Sequence, residues 1–349
     1  MEKKIMHLLQ SDRFSGAENV VCQIIDLYKD EYSMVYVCPK GPIEETLKKR
    51  NIEYYLLDSF SQKEIDSAVN NIKPDIIHAH DFNASVRAAK YKCIVISHIH
   101  NNPLWLSKLD YRSFLYALCC RKYKYIIGVS ESIRDEYIFK GLLDKKFFLL
   151  QNVVNKNLII QKANDNYVEK FDLLYVGRLF EPKNPIGFLE IVKQFKLNKK
   201  KVNCLMIGEG PLKEICEKYI EENELYDWVR MIGFTNNPYS YMKAAKVVVM
   251  PSKWEGFGLV AVEAMLLGKP VVCTPVGGLV DIIPNEFGCY AESCDEFVRI
   301  IEKLLTDEGM YRNIMLKAPD RVNKYADIGM YKDKLDEIYI SCLGKRESV

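Results

Sequence analysis

Two glutamates, Glu255 and Glu263, bracket the run Gly256-Phe257-Gly258-Leu259. The segment follows the strand-like run Val247–Met250 and opens a helical pattern that reaches Leu267. Glycines let a backbone approach a ligand closely, and the first N–H groups of a helix point outward without intrahelical partners. Together they make a cradle for phosphate. Glu255 then sits in the loop, and Glu263 lies a turn or so inside the helix, placed to accept hydrogen bonds from sugar or ribose hydroxyls. Read blandly, the same spacing is a helix start with two solvated glutamates.

Cations stand where such an anion needs them. The strand-like run Leu173–Val176 leads into Gly177 and Arg178, with Lys183 five positions on. Positive charge held on a departing diphosphate stabilises what develops there, although most basic residues are ordinary surface charges. A further turn, Gly208-Glu209-Gly210-Pro211, follows Val202–Ile207, and another, Pro275-Val276-Gly277-Gly278, follows Val271–Cys273. Glycine turns on four successive strand ends are harder to ascribe to chance than any one alone. Near the N-terminus, Phe14-Ser15-Gly16-Ala17-Glu18 follows the first strand-like run and supplies a second cradle at Gly16. It lacks the three-glycine spacing of a dinucleotide site, which argues against NAD.

His78, His80, His98 and His100 lie at the ends of two strand-like runs, with Asp81 and Asn101 beside them. Alternation puts each pair on one face. Histidine titrates near neutral pH and suits acceptor binding or general-base duty. His-x-His can also chelate zinc, but no cysteine or carboxylate spacing supports it, so no metal site is expected.

The elements that must position these residues alternate along the whole chain. Strands are expected at Ile5–Leu9, Ser33–Cys38, Tyr54–Leu57, Asp75–His80, Cys93–His98, Tyr125–Val129 and Phe147–Leu150, and again at Leu173–Val176, Val202–Ile207, Val229–Ile232, Val247–Met250 and Val271–Cys273. Near-continuous apolar runs separated by helical periodicity imply parallel sheets covered on both faces. The chain therefore reads as α/β, two doubly wound Rossmann-like domains facing a cleft, with chemistry on the loops after strands. The polar stretch Asn152–Lys170 reads as the linker. The expected division is 1–165 on the acceptor side, 166–325 on the donor side, and a helical tail 326–349, with Tyr331, Leu335, Ile338 and Tyr339 at near-heptad spacing, packing back on the first domain.

At 349 residues, 48% hydrophobic and 28% charged, the composition is that of an ordinary globular protein. A net charge of +2 excludes a nucleic-acid binder, which would carry a basic patch. The 11 cysteines form no Cys-x-x-Cys pair and suggest a reducing cytosol. The apolar run after Met1-Glu2-Lys3-Lys4 is too short for a signal peptide, and no run approaches a membrane span. The expectation is a cytoplasmic protein, neither secreted nor spanning.

At these residues the chain resembles the retaining glycosyltransferases of family 4, which have the GT-B architecture. The resemblance covers almost the whole chain and is strongest over Leu173–Ile283. Glu255 to Glu263 matches the family's Glu-x7-Glu mark, Arg178 and Lys183 its diphosphate-binding pair, and Gly208-Glu209-Gly210-Pro211 its nucleotide-side turn. The resemblance implies that Glu255 contacts the transferred sugar and Glu263 the ribose. Ser15-Gly16-Ala17-Glu18 is similar to the family's Gly-Gly-Ala-Glu loop with Ser in the first place. His98-Ile99-His100-Asn101 is similar to the His-Ser-His-Asn stretch of members that build bacterial capsule, exopolysaccharide or O-antigen, and His100 is favoured for the acceptor-side role. The implied reaction uses a UDP- or GDP-linked sugar, a glycan or polyprenyl-diphosphate-linked acceptor, retention of configuration, and no cofactor or metal. A sugar-nucleotide epimerase of the same fold and a catalytically dead subunit are the alternatives.

Trp105, Leu106, Leu109, Phe114, Leu115 and Leu118 alternate with Lys108, Arg112, Arg121, Lys122 and Lys124. That pattern fits either an amphipathic surface resting on the inner face of the cell membrane or a helix packed on its own sheet.

Overall fold

The computed structural model describes residues 3–287 and 289–344; residues 1–2 and 345–349, at the outer ends of the expected first domain and tail, lie outside the described residues. Twelve strands form among the described residues, each on an apolar run anticipated above. β1 (Lys4–Leu8), β2 (Ser33–Pro39), β3 (Tyr54–Leu57), β4 (Ile76–His80), β5 (Ile94–Ile99), β6 (Tyr125–Gly128) and β7 (Phe147–Leu149) make one sheet in the order β3-β2-β1-β4-β5-β6-β7. β8 (Phe171–Val176), β9 (Cys204–Ile207), β10 (Val229–Met231), β11 (Ala245–Met250) and β12 (Val271–Cys273) make a second, β10-β9-β8-β11-β12. All pairings are parallel.

Parallel strands need crossover helices, which cover both faces of the sheet. Hence Ile5, Met6, Val37, Ile76 and Ile96, and likewise Leu173, Leu174, Val247, Val248 and Val249, are all buried. Each such side chain contributes about 1.5–3 kcal/mol on burial. The strand order reverses between β1 and β4 and again between β8 and β11. At those points the flanking loops leave in opposite directions and open a crevice at the carboxyl edge. Both domains are doubly wound α/β units.

The described residues up to Asn152, together with those from Gly329, form one compact unit; Val153–Ile328 form the other. The division thus falls at Asn152 rather than at residue 165. The stretch read as a linker contains a helix, Lys156–Asp165, capped by the Asn155 side chain accepting from the Leu158 N–H at 3.0 Å. That helix buries Ile159 and Ala163 and lies against the helix Tyr239–Ala244 of the second unit. Its polar composition reflects its outer face. The tail helix, Ile328–Leu343, buries Tyr331, Leu335, Ile338 and Tyr339. Tyr339 packs edge-on against Tyr28 and Tyr32, and Lys332 pairs with Glu31 at 3.0 Å.

Candidate active site

Loops from β8, β9, β11 and β12 converge at the carboxyl edge of the second sheet. The Gly177 N–H donates to the Ile207 carbonyl at 3.0 Å, and the Leu179 N–H to that of Glu209 at 2.9 Å. Gly208, at φ +148°, must be glycine: a Cβ there would lie 1.9 Å from the Gly177 carbonyl oxygen. On the other side of β8, the Lys253 N–H donates to the Pro182 carbonyl at 2.8 Å. Thr274 donates through Oγ1 to the Ser252 carbonyl, tying the β12 loop to the β11 loop. Gly277, at φ +52°, presses on the backbone of Glu255 so closely that a Cβ would stand 1.6 Å from its carbonyl oxygen.

This frame brings together Lys183 and Glu255, which are 72 positions apart in sequence. Asn184, in the left-handed region at φ +50°, caps the helix Pro185–Leu197 by accepting from the Gly187 N–H, and so fixes the turn that carries Lys183. The Lys183 ammonium donates to both carboxylate oxygens of Glu255. Their side chains are 26% and 8% exposed. Arg178 is exposed, with its guanidinium 5.1 Å from the centre of the Phe180 ring, and among the described residues it makes no ion pair. Glu209 is exposed and pairs with Lys213 at 3.0 Å, one helical turn on. Gly256 and Gly258 are buried in the loop, and Gly258 begins the helix Leu259–Leu266 at φ +104°. The Phe257 ring turns inward, edge-on to Tyr325 at 5.2 Å, so only its backbone can serve a ligand.

Glu263 accepts from the Tyr239 hydroxyl at 3.2 Å. Burial pushes its pKa up to about 7, against which the Tyr239 bond acts weakly. A carboxyl whose pKa is raised by folding subtracts stability as pH climbs from its ordinary 4.5 through about 7. Glu263→Gln is therefore expected to be more stable than the parent at pH 8 by about 1–2 kcal/mol, melting at a higher temperature, and to lose that advantage near pH 4.5. Melting curves at the two pH values check it; an unchanged difference would remove burial of the charge as the cause. Tyr239 was not foreseen. A tyrosine in a tyrosine-rich helix carries no signal of which carboxylate it will meet.

In the first unit, Gly16 is exposed at the start of the helix Gly16–Tyr28. The Ser15 hydroxyl donates to the Glu18 carboxylate rather than capping the backbone. The histidines depart from expectation. His80, His98 and His100 are 2%, 0% and 6% exposed, and His78 is fully buried. Residues in register on β4 and β5 project to one face, and the tail helix covers it: Tyr339 is hydrogen-bonded to His78 Nδ1 at 2.9 Å. Burial lowers the pKa of His100 to about 3 and takes those of His78, His80 and His98 well below the usual value. A neutral-pH general base is therefore not what this packing makes of His100, whose Nε2 is bonded to His80 Nδ1 at 2.9 Å. Asn101 alone of the acceptor-side candidates is exposed. Asp81 is held at φ +66°, accepts from the His100 N–H at 2.8 Å, and has its pKa raised to about 6 by burial. Such strain tends to collect at functional sites.

No helix of the described residues is long and apolar enough to cross a membrane. All 11 cysteines are free thiols, most of them buried.

The profile described as "Glycosyl transferases group 1" matches residues 157–326, and "Glycosyltransferase Family 4" matches residues 14–158. An uncharacterised 42.6 kDa protein in the cps region of Klebsiella pneumoniae is 30% identical, the match covering 69% of this chain and 70% of that protein. The Escherichia coli UDP-Gal:alpha-D-GlcNAc-diphosphoundecaprenol alpha-1,3-galactosyltransferase is 24% identical across 97% of this chain and 96% of its own. The Anabaena HepE protein, crystallised with UDP and glucose, superposes with a TM-score of 0.84 at 19% identity, over 97% of this chain and all of that one. With the doubly wound domains and the Glu255–Glu263 segment already in place, these matches make the chain a member of the family 4 glycosyltransferases of GT-B architecture.

Proposed function

We propose that the protein transfers a sugar, with retention of configuration, from a UDP- or GDP-linked donor to a glycan or polyprenyl-diphosphate-linked acceptor in bacterial surface polysaccharide synthesis. The observation that carries this reading is the pairing of Lys183 with Glu255 at the β8/β11 switch point, with Arg178 exposed on the same loop as Lys183. An ammonium has three N–H donors. Two go to Glu255, leaving one for a phosphate oxygen. The exposed Arg178 guanidinium supplies a second cation, and the N–H groups opening the helix at Leu259 a third source of positive potential. Glu263, as a carboxylate, accepts from ribose hydroxyls, and Glu255 positions the sugar. Gly177, Gly208 and Glu209 border the donor. The leaving diphosphate takes the acceptor's proton while Arg178 and Lys183 hold its charge, so the transfer step requires no metal.

The E. coli relative's name specifies a UDP sugar and a diphosphoundecaprenol acceptor, which supports a donor and acceptor of those classes here. Incubation with a panel of nucleotide sugars and a lipid-diphosphate acceptor, followed by NMR, tests the reading. A product with the donor's anomeric configuration supports it. Inverted product would remove retention, and an epimerised donor without transfer would replace the reading with an epimerase.

A lipid-linked acceptor lies at a membrane, and the first unit carries a surface suited to one. Leu104, Leu109, Tyr111, Phe114, Leu115 and Leu118 are between 43% and 84% exposed, among exposed Lys108, Arg112, Arg121 and Lys122. The helix Tyr111–Cys119 buries Ser113, Tyr116 and Ala117 inward and still presents this second apolar face. Anionic vesicles are expected to float the protein. Leu109→Asp/Phe114→Asp should weaken partitioning by roughly tenfold or more, since each apolar side chain inserted is worth about 1.5–3 kcal/mol. Equal flotation of parent and variant would show that this face is not the contact.

A further inference from the structure

All five histidines of the chain meet in one interior cluster built on β1, β4 and β5. His7 joins the four already described: its Nδ1 is 3.0 Å from His80 Nε2, and His80 Nδ1 is 2.9 Å from His100 Nε2. A second chain runs from Tyr339 through His78 to His98, with His78 Nε2 3.2 Å from His98 Nδ1. Both chains end on buried nitrogens without partners: His7 Nε2, His98 Nε2 and His100 Nδ1. A structural hydrogen-bond network ordinarily satisfies its buried ends. This one does not.

We propose that the cluster binds one divalent ion of the zinc class, through one ring nitrogen each of His80, His98 and His100. The three donor nitrogens lie within 4.8 Å of one another. A tetrahedral ion with bonds of about 2.0–2.1 Å holds its donors about 3.3 Å apart, and within the triad His80 Nδ1 and His100 Nε2 are 2.9 Å apart. Imidazole donors alone favour zinc, cobalt, nickel or copper over magnesium or calcium. The three rings are all buried. Metal-bound imidazoles are ordinarily oriented by groups around them. Here the Tyr339 hydroxyl holds His78, which holds His98, and the Asp81 carboxylate accepts from the His100 backbone and supplies a countercharge. His7, His78 and His80 form a second triad, also within 4.8 Å. The first is preferred because two of the three unpartnered nitrogens and Asp81 belong to it. The ion ties the ends of β4 and β5 together within the first unit, and this proposal stands or falls apart from the transfer chemistry.

The test uses the full chain, stripped with a chelator and titrated with cobalt(II) and zinc. One equivalent of cobalt is expected to raise a visible absorption band typical of nitrogen ligation, and zinc to displace it and raise the melting temperature. His98→Gln and His100→Gln should each weaken the ion by about a hundredfold or more, with far-ultraviolet circular dichroism reporting whether each variant is folded. In the parent, ¹⁵N spectra of the imidazoles should show ring nitrogens shifted by zinc, a readout that needs no variant. No visible band with unshifted imidazoles, or undiminished binding in both folded variants, overturns the proposal.

Discussion

Arg178→Ala should lower turnover about 10²–10³-fold, the usual cost of removing one preorganised partner of developing negative charge. It should leave stability within about 0.5 kcal/mol of the parent, because an exposed side chain free of ion pairs is replaced. The exposed guanidinium rests over Phe180 and is tied to nothing that folding requires. Arg178→Lys keeps the charge and loses the planar fork, so partial activity is expected. Lys183→Ala should be as damaging to turnover but not as clean, because its ammonium also neutralises Glu255. Rates of donor consumption, set beside denaturant unfolding of the same preparations, separate the two effects. Near-parental turnover in both variants would mean that the diphosphate does not rest here.

Much of this arrangement was legible because it is written locally. A parallel strand announces itself as a short apolar run, and all twelve expected runs became strands with ends moved by a residue or two. Glycines at positive φ, such as Gly208 and Gly277, mark tight loops after strands for the same reason. What escaped was set by tertiary partners. Alternation correctly put His78 and His80 on one face, but nothing in β4 tells that the tail helix, 261 positions away, will cover it. The expected acceptor-side histidines therefore became an interior cluster, and His7 joined them only through its register with His78. The Asn152–Lys170 stretch misled in the opposite sense. Polarity there belongs to one side of a helix whose Ile159 and Ala163 are buried. The Lys183–Glu255 pairing lies between these cases: each residue was picked out by its own loop, yet their contact depends on β8 and β11 being neighbours in the sheet.

That contact gives the second large expectation, a coupling read from stability as well as activity. Lys183→Met strands the Glu255 carboxylate, 8% exposed, without its counter-ion. Removing one partner of a buried pair costs about 3–5 kcal/mol. Because Lys183 is itself 26% exposed, the lower end, about 3 kcal/mol, is expected. Glu255→Gln is milder, about 1 kcal/mol, since the freed ammonium can turn toward water. The double variant should recover most of what Lys183→Met loses, because the orphaned charge is gone, and the cycle should return a coupling of roughly 1–3 kcal/mol. Turnover should not follow. A pair kept only for stability would be replaceable by neutral residues without loss of function, whereas one that meets the donor leaves the double variant stable and inactive. Urea unfolding followed by tryptophan fluorescence, to which Trp254 beside Glu255 contributes, measures the first quantity. A loss in Lys183→Met below about 0.5 kcal/mol, the level of an ordinary surface change, would show that the two side chains do not meet, and with that the geometry holding the sugar against the diphosphate would fail.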